Sequence, residues 1–154
     1  MKKRSVRQGV FETNSSSTHS ISVASYSEGD LMDTLPLDEY GNVMLNGGEF
    51  GWDVEDYRDA LTKANYVAIY IQQWASLDQK EGFMKLFTEV LREQTSCNEV
   101  VFNFGGDYNH PNWSYIDHQS VEDGQMDWLF ESSETLREFI FNPKSTLHTD
   151  NDNY

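Results

Sequence analysis

The chain changes its hydrophobic period several times, and each change marks an element. Residues 9–23, "GVFETNSSSTHSISV", run apolar, then polar, then apolar again at alternate positions. As one strand, Phe11, Thr13, Ser15, Ser17, His19, Ile21 and Val23 share a face whose polar middle needs hydrogen-bond partners in a core. Serine and asparagine also stabilise turns through local side-chain to backbone bonds, so a turn leading into a strand is the plainer reading.

Glycines divide "DEYGNVMLNGGEFGW" into short apolar segments, and residues 35–52 read as a hairpin or two short strands with turns at Gly41-Asn42 and Asn46-Gly47. After Asp53 as N-cap, Val54, Tyr57, Leu61, Ala64, Ala68, Ile71 and Ala75 recur in steps of three and four, which predicts a helix. Its later part, "NYVAIYI", also alternates like a strand. Ser76 and Gln79 make a capping-box pattern before a helix that places Phe83, Leu86, Phe87, Val90 and Leu91 on one face.

"NEVVFNFGGD" reads as a buried strand ending in a glycine turn, and "WSYIDHQSVE" as another strand before a turn at Gly124. Ser132 or Ser133 caps a helix over "ETLREFIF" that Asn142-Pro143 ends, and "STLHT" is the last strand. Strands and helices mix without regular βαβ alternation. The expectation is therefore an α+β fold: one domain over 9–149 with a mixed or antiparallel sheet and about three helices, a basic arm at 1–8 and a polar tail at 150–154.

Length supports a real core, since domains of this size typically bury roughly 68–70% of their extended-chain surface. The single cysteine, Cys97, closes no intramolecular disulfide and has no zinc-type spacing around it. No run approaches a transmembrane span, and "MKKRSVRQG" lacks the apolar stretch of a signal peptide. These features predict a soluble intracellular protein of a reducing cytosol.

Charge changes the picture most. The net charge is −15, and without Lys2, Lys3, Arg4 and Arg7 seven basic residues face twenty-six acidic ones, leaving −19 on the body. Such a body repels phosphates and does not bind DNA or RNA through a broad basic face. It suits a basic protein surface instead. Nine Phe, eight Tyr and four Trp argue against disorder and supply side chains favoured at interfaces.

Candidate chemistry centres on "ETNSSSTHS". Ser17 and His19 point the same way on a strand, but the sequence has no G-x-S-x-G elbow and nothing marks an oxyanion hole. Glu12, Asn14, Ser15, Ser16, Ser17 and His19 form a candidate polar pocket if Asp117, His118 and Gln119 lie beside them. The catalytic alternative there is Ser17, His19, Asp117 and His118. No cofactor is expected on the favoured reading. The alternative is a divalent metal held by His19, His118, His148 and Asp117, although no fixed-spacing metal motif is present.

"RQGVFETNSSSTHSI" resembles the N-terminal signature of uncharacterised small proteins of bacteriophages and Firmicutes, and "IDHQS" and "FNPKSTLHTDNDN" are similar to their later segments. The resemblance implies an accessory protein of the kind that binds host machinery, including CRISPR or other defence nucleases. The favoured expectation is an inhibitor whose acidic, aromatic surface docks on a host nucleic-acid-binding protein or nuclease with a basic groove, without touching a membrane. Its surface residues are Trp52, Asp53, Glu55, Asp56, Tyr57 and Asp59, with Glu122, Asp123, Asp127, Trp128 and Glu131. The competing expectation is a small metal-assisted hydrolase or nucleotide-processing enzyme built on the Ser/His/Asp pocket.

Overall fold

The computed structural model describes residues 3–4, 17–27, 29–51, 53–117 and 124–151. In chain order these form β1 (Lys3–Arg4), β2 (Ser17–Ser22), β3 (Val43–Leu45), β4 (Glu49–Phe50), β5 (Glu55–Tyr57), α1 (Ala60–Trp74) and α2 (Leu77–Thr95). There follow β6 (Val100–Phe102), β7 (Tyr115–Ile116), a 3₁₀ turn over Asp127–Phe130, α3 (Ser133–Phe141) and β8 (Thr146–Asn151). The fold is α+β.

The principal sheet has the order β1-β2-β8-β5 with every pair antiparallel. Alternation divides its two faces. On the inner face Ile21 and Leu147 are buried with His19 and Thr149, while Ser22, Thr146 and His148 are partly exposed on the other. β5 is an edge strand of this sheet, and "EDY" meets the usual requirement of an edge, charge that discourages a further strand from pairing.

The second strand group decides between the two readings of 35–52: two short strands form, and not a hairpin. β3 and β4 do not pair with each other; β3 pairs in parallel with β6, and β4 in parallel with β7. Gly47, at φ +80°, deflects the chain sideways without folding it back. Residues 43–50 therefore run first along β6 and then along β7, while 103–114 make an excursion between the two pairings.

α1 is the centre of the core, packing against α2, α3, β3 and β7. It starts later than expected. Asp59, and not Asp53, is its N-cap, with the carboxylate accepting from the Thr62 amide at 2.8 Å. Val54 and Tyr57, expected on the helical stripe, precede the helix; Tyr57 belongs to β5 and Val54 is exposed. Every residue from Lys63 to Ile71 is buried. A helix buried all round has no polar stripe to interrupt its apolar residues, which is why "NYVAIYI" also looked strand-like.

The capping serines behave as their sequence positions indicate. Ser76 accepts from the Gln79 amide and Ser132 from the Thr135 amide, opening α2 and α3. Phe87, Val90 and Leu91 bury the inner face of α2. β6 is half-buried where a buried strand was expected, and among the described residues the strand read from "WSYIDHQSVE" is Tyr115–Ile116. Residues 118–123 lie outside the described residues. Asp150 and Asn151, assigned to a tail, extend β8, and Lys3 and Arg4 of the basic arm pair with Ser22 and Ile21.

Candidate functional site

His19 is fully buried on the inner face of β2. Its Nε2–H donates to the Gly51 carbonyl at 3.0 Å. A carbonyl only accepts, so Nδ1 is the unprotonated nitrogen and accepts from the Tyr66 hydroxyl at 2.9 Å. Burial pushes the imidazole pKa down to about 4, against the opposing pull of the Gly51 carbonyl and the Asp117 charge. The ring is a neutral, doubly satisfied strut in the core. It has no lone pair left to accept a serine proton or to bind a metal.

Asp117 does approach this histidine, as the polar-pocket reading required. Its amide donates to the Phe50 carbonyl at 2.8 Å, and its side chain lies against Gly51. Gly51 is thus in contact with both residues, its carbonyl bonded to the His19 ring and its Cα side facing Asp117. Glu12, Asn14, Ser15, Ser16, His118 and Gln119 lie outside the described residues, as does the Ser17 side chain.

The sheet divides the two described histidines named for the metal alternative, and the third, His118, lies outside the described residues. His19 and His148 occupy consecutive register positions, His19 opposite Thr149 and Ser20 opposite His148, and so face opposite sides of the sheet. Among the described residues no three His, Cys, Asp or Glu groups stand together as a metal could hold them. His148 instead has Nδ1 2.5 Å from Asp56 Oδ1 and Nε2 3.5 Å from Asp150 Oδ2. Together with Ser20, Ser22, Arg58 and Thr146, His148 and Asp56 line a cleft of about 330 Å³ on the outer face. No hydrogen bond joins Ser20 to His148 among the described residues.

The acidic residues of the 53–59 run form a more coherent surface. Asp53, Glu55 and Asp59 are exposed near the half-buried Tyr57, while Asp56, also exposed, alternates to the outer face beside His148. Partial burial raises the Tyr57 phenol pKa, and the negative charges of Asp53, Glu55 and Asp59 raise it further. Tyr115 on β7 is raised in the same way, by burial first and then by Glu49, Asp117 and Asp53. Both phenols therefore sit in one negative field assembled from β4, β5 and the end of β7. An edge-to-face series carries this surface inward, from Tyr57 to Phe50 at 5.8 Å and from Phe50 to Tyr66 at 4.9 Å, ending on His19.

Glu49 and Tyr115 are members of this face that the sequence reading missed. A signal was available: Trp113, Tyr115 and Asp117 alternate in "NWSYID", the spacing of one strand face. Trp52 lies outside the described residues. The second acidic run is different. Glu122 and Asp123 also lie outside them, and Asp127 accepts from the Tyr70 hydroxyl at 2.8 Å and from Gln79 Nε2 at 3.2 Å. Trp128 packs against the core, which leaves Glu131 exposed. Of the described members of this run, Asp127 braces α1 and α2 and Glu131 faces solvent.

No family model, curated protein or solved structure matches the chain.

Proposed function

We propose that the protein acts by binding, docking its acidic face on a basic surface of a nucleic-acid-handling protein of the bacterial cytoplasm and competing there with nucleic acid. The observation that carries this reading is the convergence of Glu49, Asp53, Glu55, Asp59 and Asp117 around Tyr57 and Tyr115. Carboxylates spaced along an exposed edge stand where phosphates would otherwise lie in a basic groove, and the tyrosines between them add contact area that loses little entropy on binding. The net charge of −15 favours approach to such a groove and disfavours approach to nucleic acid. The resemblance of the N-terminal segment to phage proteins supports a host nuclease, including a defence nuclease, as the partner. No described helix is long and apolar enough to cross a membrane, which is compatible with this setting.

The experiment is competition. The chain is added to complexes of purified host nucleases with a labelled duplex, and release of the duplex is followed as salt is raised. Displacement that weakens with salt, and that fails for an Asp53→Asn/Glu55→Gln/Asp59→Asn variant, is the expected result. Failure of the unaltered chain to displace the duplex from any nuclease at low salt would overturn the reading.

A further inference from the structure

The excursion between β6 and β7 carries a row of rings on its surface. Tyr108 is 75% exposed and Trp113 is 40% exposed. Their ring centroids lie 6.1 Å apart at 70°, and Trp113 continues to Tyr115 at 4.9 Å and 42°. Single exposed aromatics are ordinary, whereas a connected row marks a contact surface. Beside it a cleft of about 540 Å³ opens between Asn46, Glu49, Tyr108, His110, Asn112 and Trp113.

Hydrogen bonds tie down the backbone on both sides of Trp113. Asn112 Nδ2 donates to the Asn103 carbonyl at 2.8 Å, and the Asn112 amide to His110 Nδ1 at 2.8 Å. The Ser114 amide donates to the Gly105 carbonyl at 2.8 Å, and Gln73 Nε2 on α1 donates to the Ser114 carbonyl at 2.7 Å. Asn103 Nδ2 donates to Asn46 Oδ1 at 2.9 Å, tying the start of the excursion to the segment after β3. Aromatic side chains held this way need little reordering to bind.

We propose that the Tyr108–Trp113–Tyr115 row with Glu49 is a cation subsite that takes an arginine side chain of a basic polypeptide partner. It rests on the docking reading above and names one anchoring point within it. Three observations select a cation. The ring row ends at Tyr115, in the combined field of Glu49, Asp117 and Asp53. The cleft lining carries Glu49 and no lysine or arginine among the described residues. Ring faces attract cations through their quadrupole, and a planar guanidinium both stacks on an indole and donates in its plane to a carboxylate, which an ammonium cannot do. A neutral sugar also stacks on aromatic rings and can donate hydroxyls to Glu49, but it carries no charge to meet the converging field.

The test uses the full chain and a fluorescein-labelled octa-arginine peptide, followed by anisotropy at low salt, with octa-lysine and a neutral hexasaccharide in parallel. The unaltered chain is expected to bind octa-arginine more tightly than octa-lysine. Trp113→Ala and Tyr108→Ala should each weaken octa-arginine binding about two- to thirty-fold. Their far-ultraviolet circular dichroism and urea midpoints, measured alongside, identify any variant that loses affinity by unfolding, and Glu49→Gln provides a third variant that keeps the rings intact. If the Asp53→Asn/Glu55→Gln/Asp59→Asn variant loses octa-arginine while all three subsite variants retain it, the subsite is overturned and the docking reading stands. Octa-arginine binding that none of the four variants changes overturns both. Binding of the hexasaccharide in place of the peptide, abolished by Trp113→Ala, overturns the cation assignment.

Discussion

The Tyr66 hydroxyl donates to His19 Nδ1 at 2.9 Å, and both residues are fully buried. This bond fixes the histidine as the Nε2–H tautomer and leaves its other nitrogen donating to the Gly51 carbonyl at 3.0 Å. Tyr66→Phe removes the donor and leaves a buried ring nitrogen unpaired, an expected loss of about 1–3 kcal/mol. His19→Ala adds a cavity and orphans two groups, so a loss of about 2–5 kcal/mol is expected. Urea denaturation measures both. Unchanged stability in either variant would contradict the structural role of His19.

Protonation of His19 gives a second expectation. Its folded-state pKa is about 4 against an ordinary 6.5, so between these values the unfolded chain binds more protons than the folded one. Its contribution is therefore complete above about pH 6.5 and is lost as pH falls through 4, amounting to about 3 kcal/mol over the window. Histidine NMR should show the His19 ring neutral and Nε2-protonated down to about pH 5. A His19 midpoint near 6.5 would contradict its burial.

Lys63 tests the opposite end of the pH scale. Its Nζ is buried, donating to the Asn142 carbonyl at 2.9 Å and the Ser145 carbonyl at 2.8 Å, and so joins α1 to the turn between α3 and β8. Burial lowers its pKa to about 8, despite the opposing charges of Asp33 and Asp59. From about pH 8 to 10.5 the unfolded chain holds the extra proton, so this lysine favours the fold more as pH rises. Lys63→Met should remove that slope and orphan two carbonyls, with a net loss of about 1–3 kcal/mol near neutrality. Stability curves across this range that superimpose for the two proteins would contradict it.

Gly47 is expected to tolerate no side chain. Its φ is +80°, and a Cβ there would meet Ser114 Oγ with no room between them. Gly47→Ala should destabilise the protein by more than about 1 kcal/mol and displace the segment bearing Trp113, shifting the tryptophan emission. A neutral substitution with unchanged emission would show that the close approach of 47 to 114 is wrong.

Local chemistry made part of this fold legible. Ser76, Ser132 and Asn142-Pro143 bracket α2 and α3 by capping and by proline, which act within a few residues. Pairing across long stretches was not legible. β3 and β4 find partners beyond the α1–α2 pair, at β6 and β7, and nothing local to "VMLNGGEF" distinguishes that outcome from a hairpin. Asp53 resembled an N-cap because any Asp before an apolar stripe does; β8 claims the following residues as an edge strand, and Asp59 caps instead.

The candidate site divides in the same way. Alternation placed His19 on the inner face of β2, and burial then required partners for it, but Tyr66 and Gly51 lie far away in the chain. The 53–59 carboxylates were visible as a run. The convergence of Asp53 with Glu49 and Asp117 on Tyr115 required the parallel pairing of β4 with β7.

The most direct test of the docking claim is the affinity of the protein for a basic nuclease groove as salt is raised, compared with the Asp53→Asn/Glu55→Gln/Asp59→Asn variant. Affinity should fall steeply with salt for the unaltered chain, and the variant should bind weakly at low salt with a shallower dependence. Equal affinities and equal salt dependences for the two proteins would contradict the account.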